Sequence, residues 1–314
     1  MSGQAKVVGF IGLGVMGEPI CRNLTKKGGV SVIGFDNVPA GLQRLAPYGV
    51  KPANSVSAVG SQADVVFLSL PSGEVVADVA RGPEGLLSVC RPHQIVIDLS
   101  TSAVDIIRQL AKEFGDKGAH FVDAPVMRTR TAAEAGTLAC CVGTDRSIFD
   151  AIRPLISTFS TDITYCGTVG CGAIVKLMNQ MVLFQNVLAL AEVHAVASAA
   201  GIDTKLLFDA LSTGSADSFA LRNHGMKAIL RGDFPLNAFS VKYAKKDLRY
   251  ALRLAAESGV DVTGARNVDL WFDRAIEGGD GDRYFPIISR LIASEVEKMH
   301  KSPNRAGPLD GERE

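Results

Sequence analysis

Along the first half of the chain, short unbroken apolar runs alternate with stretches whose apolar positions recur every three or four residues. Val7–Ile11, Val30–Phe35, Val65–Leu70, Ile95–Leu99, His120–Ala124, Thr137–Val142 and Ile163–Cys166 read as strands. Several are continuously apolar, the pattern of strands covered on both faces. Between them, Gly17–Lys27, Gly73–Ala80, Val104–Phe114 and Arg146–Ile156 carry helical spacing. This β-α-β-α order predicts an α/β fold with a doubly wound parallel sheet. Past Gly172 the strand signals stop. A long helix is expected from Ala173 to Ala200, closed by Gly201. Further helices are expected over Lys205–Leu211, Phe219–Leu230, Val241–Glu257, Ala265–Ile276 and Pro286–Met299. The expected organisation is a sheet domain over 1–166, an all-α domain over 167–300, and a disordered tail over 301–314 rich in Pro, Gly and charge.

Composition narrows the class. The 314 residues are 47% hydrophobic, enough for two packed cores. Lys+Arg and Asp+Glu stand at 33 each, a balance that argues against a nucleic-acid partner held by bulk charge. The first six residues lead straight into an apolar strand, too short for a secretory leader. The run Leu177–Ala191 is interrupted by Asn179, Gln180, Gln185 and Asn186, which makes it short and polar for a membrane span. Six cysteines at 21, 90, 140, 141, 166 and 171 show no zinc-type spacing. Reduced thiols in a cytoplasmic setting are expected, with no metal.

The strongest local signal is Gly12-Leu13-Gly14-Val15-Met16-Gly17, which follows a strand and opens a helix. In that context Gly12 permits a tight turn, Gly14 lets a pyrophosphate approach the backbone, and Gly17 allows close helix–strand packing. The helix start offers N–H groups and partial positive charge to the phosphates. Asp36 ends the next strand, nineteen residues past Gly17, where a carboxylate accepts from the adenosine ribose hydroxyls. It would repel a 2′-phosphate, so NAD is the expected cofactor rather than NADP. The other reading of Asp36 is a solvated strand end.

These residues, with Pro19 and Asn23-Leu24, resemble the opening of the β-hydroxyacid dehydrogenases. The resemblance runs on through Leu70-Pro71, Asp98-Leu99-Ser100-Thr101, Asp123-Ala124-Pro125-Val126 and Gly136-Thr137-Leu138. Gly170-Cys171-Gly172-Ala173 with Lys176 and Asn179, then Lys246-Asp247, complete it. It implies a Rossmann domain, an active site between domains, and a homodimer or homotetramer built through the helical domain. It also implies Lys176 as catalytic acid/base and Asn179, Gln180 and Asp247 as substrate contacts, with Asp247 near the catalytic lysine. Leu70, Pro71, Thr101 and Lys246 would line the dinucleotide.

Chemistry supports those assignments. Hydride transfer to a carbonyl creates an alkoxide, and a lysine whose pKa is lowered by burial is a suitable proton donor. Asn179 and Gln180 share the Lys176 helix face, where amides orient a substrate oxygen. The family often carries a second Asn where this chain has Gln180. Without the resemblance, Lys176 reads equally as an interdomain ion pair. Lys242, Lys245, Lys246 and Arg249 have helical spacing, so the run around Asp247 reads alternatively as a solvated basic face. The histidines at 93, 120, 194, 224 and 300 sit in no motif with a carboxylate, which disfavours a lactate-dehydrogenase-like mechanism.

One segment departs from the family. Where the family reads Asp-Ala-Pro-Val-Ser-Gly-Gly, this chain has Met127, Arg128 and Thr129 after Val126. An Arg-Thr pair in this loop is similar to the sulfolactaldehyde reductase branch. Arg128 and Thr129 are therefore expected to receive the anionic end of a short hydroxyacid or aldehyde, since a guanidinium binds a sulfonate or carboxylate through two parallel hydrogen bonds. The alternative is that Arg128 braces the loop against an acidic neighbour. Other substrates in view are 3-hydroxyisobutyrate and tartronate semialdehyde. A non-catalytic dinucleotide-sensing scaffold is the reading from another class, and it has no need of Lys176 or Asn179.

Overall fold

The apolar runs of the first half pair into one sheet. The strands are β1 (Val7–Ile11), β2 (Ser31–Phe35), β3 (Lys51–Pro52), β4 (Val65–Leu68), β5 (Ile95–Asp98), β6 (His120–Asp123), β7 (Val126–Met127), β8 (Leu138–Gly143) and β9 (Ser160–Gly167). The computed structural model describes residues 7–236 and 238–301, so the tail expected at 301–314 falls, past residue 301, outside the described residues. The strand order is β3-β2-β1-β4-β5-β6-β8-β7, with β9 on β8. From β3 to β6 every pair is parallel. The parallel run ends at β8, which is antiparallel to β6 and β7. The cause is local: the chain returns from β7 through a six-residue helix, Arg130–Ala135, too short for the crossover that a parallel pair needs.

Helices α1 (Gly17–Lys27), α2 (Pro39–Leu45), α3 (Val56–Gln62), α4 (Gly73–Arg81), α5 (Leu86–Val89), α6 (Val104–Gly115), α7 (Arg130–Ala135) and α8 (Arg146–Ile156) connect the strands. Val8, Phe10, Phe67, Ile97, Val122 and Val142 of the sheet form one core with Ile20 and Leu24 of α1 and Ile152 and Ile156 of α8. Phe67 stacks on Phe10 and meets Phe159 edge-on, each at 5.9 Å between ring centres.

The chain divides into two compact units, Met1–Asn179 and Gln180–Glu314. The division falls inside α9 (Cys171–Ala199), whereas the expected domain boundary was residue 166. At 29 residues α9 extends well beyond the run Leu177–Ala191 and is long and apolar enough, by composition, to cross a membrane. Its Phe184, Val187, Leu188, Leu190 and Ala191 nevertheless lie in the core of the second unit. That unit also holds α10 (Thr204–Leu211), α11 (Val241–Glu257), α12 (Thr263–Glu277) and α13 (Ile288–Lys301). Phe184 packs edge-on against Phe272 and Phe285 at 5.5 and 5.3 Å. The helix expected over Phe219–Leu230 is wound wider than an α-helix across Leu221–Ile229, with Leu230 N donating to Gly225 O.

Candidate active site

The glycine turn has the geometry that its spacing predicts. Gly12 sits at φ +92°, and a Cβ there would lie 2.3 Å from Ser69 O. A Cβ on Gly17 would lie 1.9 Å from Gly12 O, so both positions exclude side chains. Gly14 instead faces open space, with nothing within 4 Å of where a Cβ would stand. Leu13 is buried, while Val15 is half exposed and no side-chain hydrogen bond caps α1 at Met16. An uncapped helix start beside an open glycine fits a dinucleotide pyrophosphate. Asp36 accepts from Leu13 N (2.6 Å) through Oδ2 and from Val38 N (2.7 Å) through Oδ1. Its carboxylate therefore holds the turn itself and is not a free strand end.

The loops after β4 and β5 are tied together. Leu70 N donates to Ser100 Oγ at 2.9 Å. Asp98, with no exposed surface, accepts from Ser100 N (2.9 Å) and Ser102 Oγ (2.7 Å). Leu70 and Thr101 are half-buried and Pro71 is exposed, all at the carboxyl ends of parallel strands. That is where open α/β sheets bind ligands.

The neighbouring strand carries a second buried acid in register, with Asp98 opposite Asp123. Asp123 has no exposed surface; Oδ1 accepts from Gly170 N (2.7 Å) and Oδ2 from Ala173 N (2.8 Å). These amides belong to the start of α9. Burial pushes the Asp123 carboxyl up to about 6, against the opposing effect of those hydrogen bonds. Lys176 follows one turn along α9 and is only 8% exposed, with Asn179 three residues on at an exposed position. The role of Asp123 in anchoring α9 was not apparent from its motif, because its partners lie 47 and 50 residues away.

Arg128 is placed differently from its expected role. Nη1 donates to Thr137 O (2.6 Å) and Thr161 Oγ1 (3.2 Å), and Nη2 pairs with Asp162 Oδ2 (2.7 Å). The guanidinium thus braces the loop against β9, the alternative that the sequence left open. An acid is already within reach, so no substrate anion is required to compensate the charge. The backbone of Arg128 lies at φ +84°, and Thr129 is exposed at the start of α7. Arg130 pairs with Glu134 at 2.9 Å.

In the second unit, Gln180 Nε2 donates to Asp247 Oδ2 at 2.8 Å, and Lys246 Nζ lies 3.0 Å from Asp247 Oδ1. Gln180 and Asp247 are both 3% exposed. The amide standing where the family often has Asn is therefore engaged with the acid assigned to substrate. Lys246 also lies 5.2 Å from the Tyr250 ring centre. The basic run is not one solvated face: Lys242 and Arg249 are exposed, but Lys245 is buried and pairs with Asp269 (2.6 Å) and Asp273 (2.8 Å).

Comparison with known proteins identifies the family. Residues 7–167 match the model of the NAD-binding domain of 6-phosphogluconate dehydrogenase. Residues 170–292 match that of the NAD-binding region of NADP-dependent 3-hydroxyisobutyrate dehydrogenase. The chain is 34% identical to 2-(hydroxymethyl)glutarate dehydrogenase of Eubacterium barkeri over 255 residues, covering 81% of this chain and 84% of that one. It is 30% identical to 2-hydroxy-3-oxopropionate reductase of Escherichia coli over 273 residues, 87% and 92% of the two chains. Among solved structures, 3-hydroxyisobutyrate dehydrogenase of Mycobacterium tuberculosis with L-serine superposes with a TM-score of 0.83 at 29% identity, covering 91% of this chain and 99% of that one. With its glycine turn, its ordered motifs and these matches over both halves, the chain belongs to the β-hydroxyacid dehydrogenase family and is an NAD(P)-dependent oxidoreductase.

Proposed function

We propose that this chain interconverts a short-chain hydroxyacid and the corresponding aldehyde or keto compound, with Lys176 as the proton relay. The observation that carries the reading is a nearly buried lysine one turn into a helix whose start is pinned to the carboxyl end of the sheet. The dinucleotide supplies or accepts the hydride. In the reducing direction the carbonyl carbon gains hydride, its oxygen becomes an alkoxide, and Lys176 Nζ gives that oxygen a proton. Asn179, on the same helix face, orients the oxygen. Thr101, Leu70 and Pro71 line the dinucleotide, and Asp36 favours NAD over NADP through repulsion of a 2′-phosphate.

For the end group, the reading favoured is the carboxylate common to the family's substrates, because Arg128 is occupied by Asp162. A sulfonate such as sulfolactaldehyde requires the guanidinium to exchange Asp162 for substrate. The test is an NADH and NADPH oxidation assay over small aldehydes with carboxylate, sulfonate and phosphate ends, on wild type and Lys176→Ala. Lys176→Ala should lose about 10²–10⁴-fold in kcat while retaining dinucleotide binding. A kcat within about threefold of wild type removes Lys176 from the chemistry. Equal kcat/KM with both dinucleotides removes the Asp36 argument. A clear preference for the sulfonate restores Arg128 as a substrate ligand.

A further inference from the structure

Two carboxylates lie side by side at the ends of β5 and β6, both without exposed surface, and the reaction as proposed uses neither. Asp98 ties down the Ser100–Ser102 loop. Asp123 reaches across the chain to the start of α9, and both its oxygens are aimed at amides there. We propose that Asp123 is the positioning residue of the proton relay, holding the Gly170 and Ala173 amides so that Lys176, one turn further along α9, stands where the substrate oxygen is protonated. The inference rests on the reading of Lys176 given above.

The seat for this carboxylate is built by its neighbours. A Cβ on Gly143 would lie 2.5 Å from Asp123 Oδ1. A Cβ on Gly172 would lie 2.9 Å from Oδ2 and 2.4 Å from Cys141 O. Glycine at both positions lets the helix backbone settle directly onto the acid and onto β8. The arrangement is also costly, since the acid is stripped of water and has Asp98 alongside. A helix start that only needed a cap would be served by its own Ser or Asp, as Ser72 and Ser240 serve α4 and α11. Two charge-assisted bonds from a rigid strand instead fix the helix in translation and rotation. Such precision has kinetic value, because a displacement of about 1 Å in a reacting group can cost about 10²-fold in rate.

Titratable and charged groups face Asp123 or its surroundings from each element packed there. Asp98 from β5 raises the Asp123 carboxyl, and Asp123 in turn raises the thiols of Cys140 and Cys141 from β8 and Cys166 from β9. Lys176 from α9 acts on Cys141, and Arg108 from α6 lies against Gly170. With burial dominant, the carboxyl loses its proton near pH 6, and below that it holds the two amides less tightly.

The test is Asp123→Asn, which keeps the shape but offers one acceptor oxygen and turns an NH₂ toward the second amide. kcat should fall about 10–100-fold, with KM for the dinucleotide within about threefold. The fall of kcat on the acid side near pH 6 should disappear. A role in stability alone would lower the melting temperature and leave kcat and its pH profile intact. That result, with kcat within about threefold of wild type, overturns the proposal. Lys176→Ala in the same assay separates the two readings. If it is inactive while Asp123→Asn keeps its rate, only the positioning role falls; if Lys176→Ala keeps its rate, the relay falls and the positioning role with it. Should Asp123→Asn fail to fold, the wild-type profile carries the test. An acid limb with a midpoint near 6 that stays put on warming, as a carboxyl's does, supports the proposal. Absence of that limb, or a midpoint that moves with temperature as an amine's does, overturns it.

Discussion

Among the described residues of the sheet unit, the carboxylates Asp98 and Asp123 have no exposed surface, and their oxygens serve amides and a hydroxyl at the starts of loops and helices. In the helical unit the buried ionisable groups pair with other side chains. Lys245 meets Asp269 and Asp273, Asp247 meets Gln180 and Lys246, and His224 meets Tyr284. The contrast follows from the backbone. A parallel sheet ends in turns and helix starts whose first amides lack partners, so an acid at the strand end has donors waiting. The interior of a helix satisfies its own amides, and a buried charge between helices must bring its own partner.

That contrast can be broken from the helical side with Lys245→Ala, where the largest change in stability is expected. Removing this cation leaves Asp269 and Asp273 without the charge that pairs them, at a cost of about 2–3 kcal/mol, less than for a fully enclosed pair because Asp273 is half exposed. Urea denaturation followed by Trp271, the chain's one tryptophan and a residue of the second unit, reports this directly. A loss under about 0.5 kcal/mol would mean that the cluster behaves like a surface ion pair.

Acid sharpens the contrast further, because the two units should respond with opposite sign. Burial lowers His224 to about 4, so its contribution is present above its ordinary value of 6.5 and is lost as pH falls through about 4. Burial raises Asp123 to about 6, so its contribution is present below 3.8 and is lost as pH rises through about 6. Each shift corresponds to roughly 3 kcal/mol at most. Between pH 7 and pH 4.5 the Trp271 transition should move to lower urea, while amide exchange in β5 and β6 slows relative to its intrinsic rate. A Trp271 midpoint independent of pH would show that His224 is not held neutral by the fold.

Much of this was legible in the residue pattern. Val7–Ile11, Gly17–Lys27, Arg146–Ile156 and Val241–Glu257 have the expected bounds, because their periodicity is strong and Gly or polar residues punctuate their ends. Short helices rich in Ser, Gly and Ala, such as Val56–Gln62, gave no comparable signal, since their burial comes from the sheet and not from their own moment. The same limit applied to the site. Lys176 and the glycine turn are local motifs, whereas the partners of Asp123, Arg128 and Lys245 depend on strand register and helix docking. Pairings set by tertiary approach have no period to read.

The smallest effect expected is at Arg128. Arg128→Ala keeps a side chain at φ +84° and loses the bond to Asp162, so the melting temperature should fall slightly. Arg128→Gly also loses the pair but releases backbone strain of about 1 kcal/mol, and its melting temperature should stay at or above that of Arg128→Ala. The reverse order would mean that the left-handed backbone is not strained.

That left-handed residue bears on the order in which such a loop can change over generations. The family pattern has glycine where this chain has Arg128, and glycine takes this φ freely. In a lineage with glycine there, a change to aspartate at position 162 is nearly silent, because the site is exposed. A change to arginine at 128 without that aspartate meets backbone strain and gains no partner. The aspartate is therefore the permissive step and the arginine the one that follows. Reversal is then asymmetric: glycine can return at 128 at little cost, while losing Asp162 first strands the arginine.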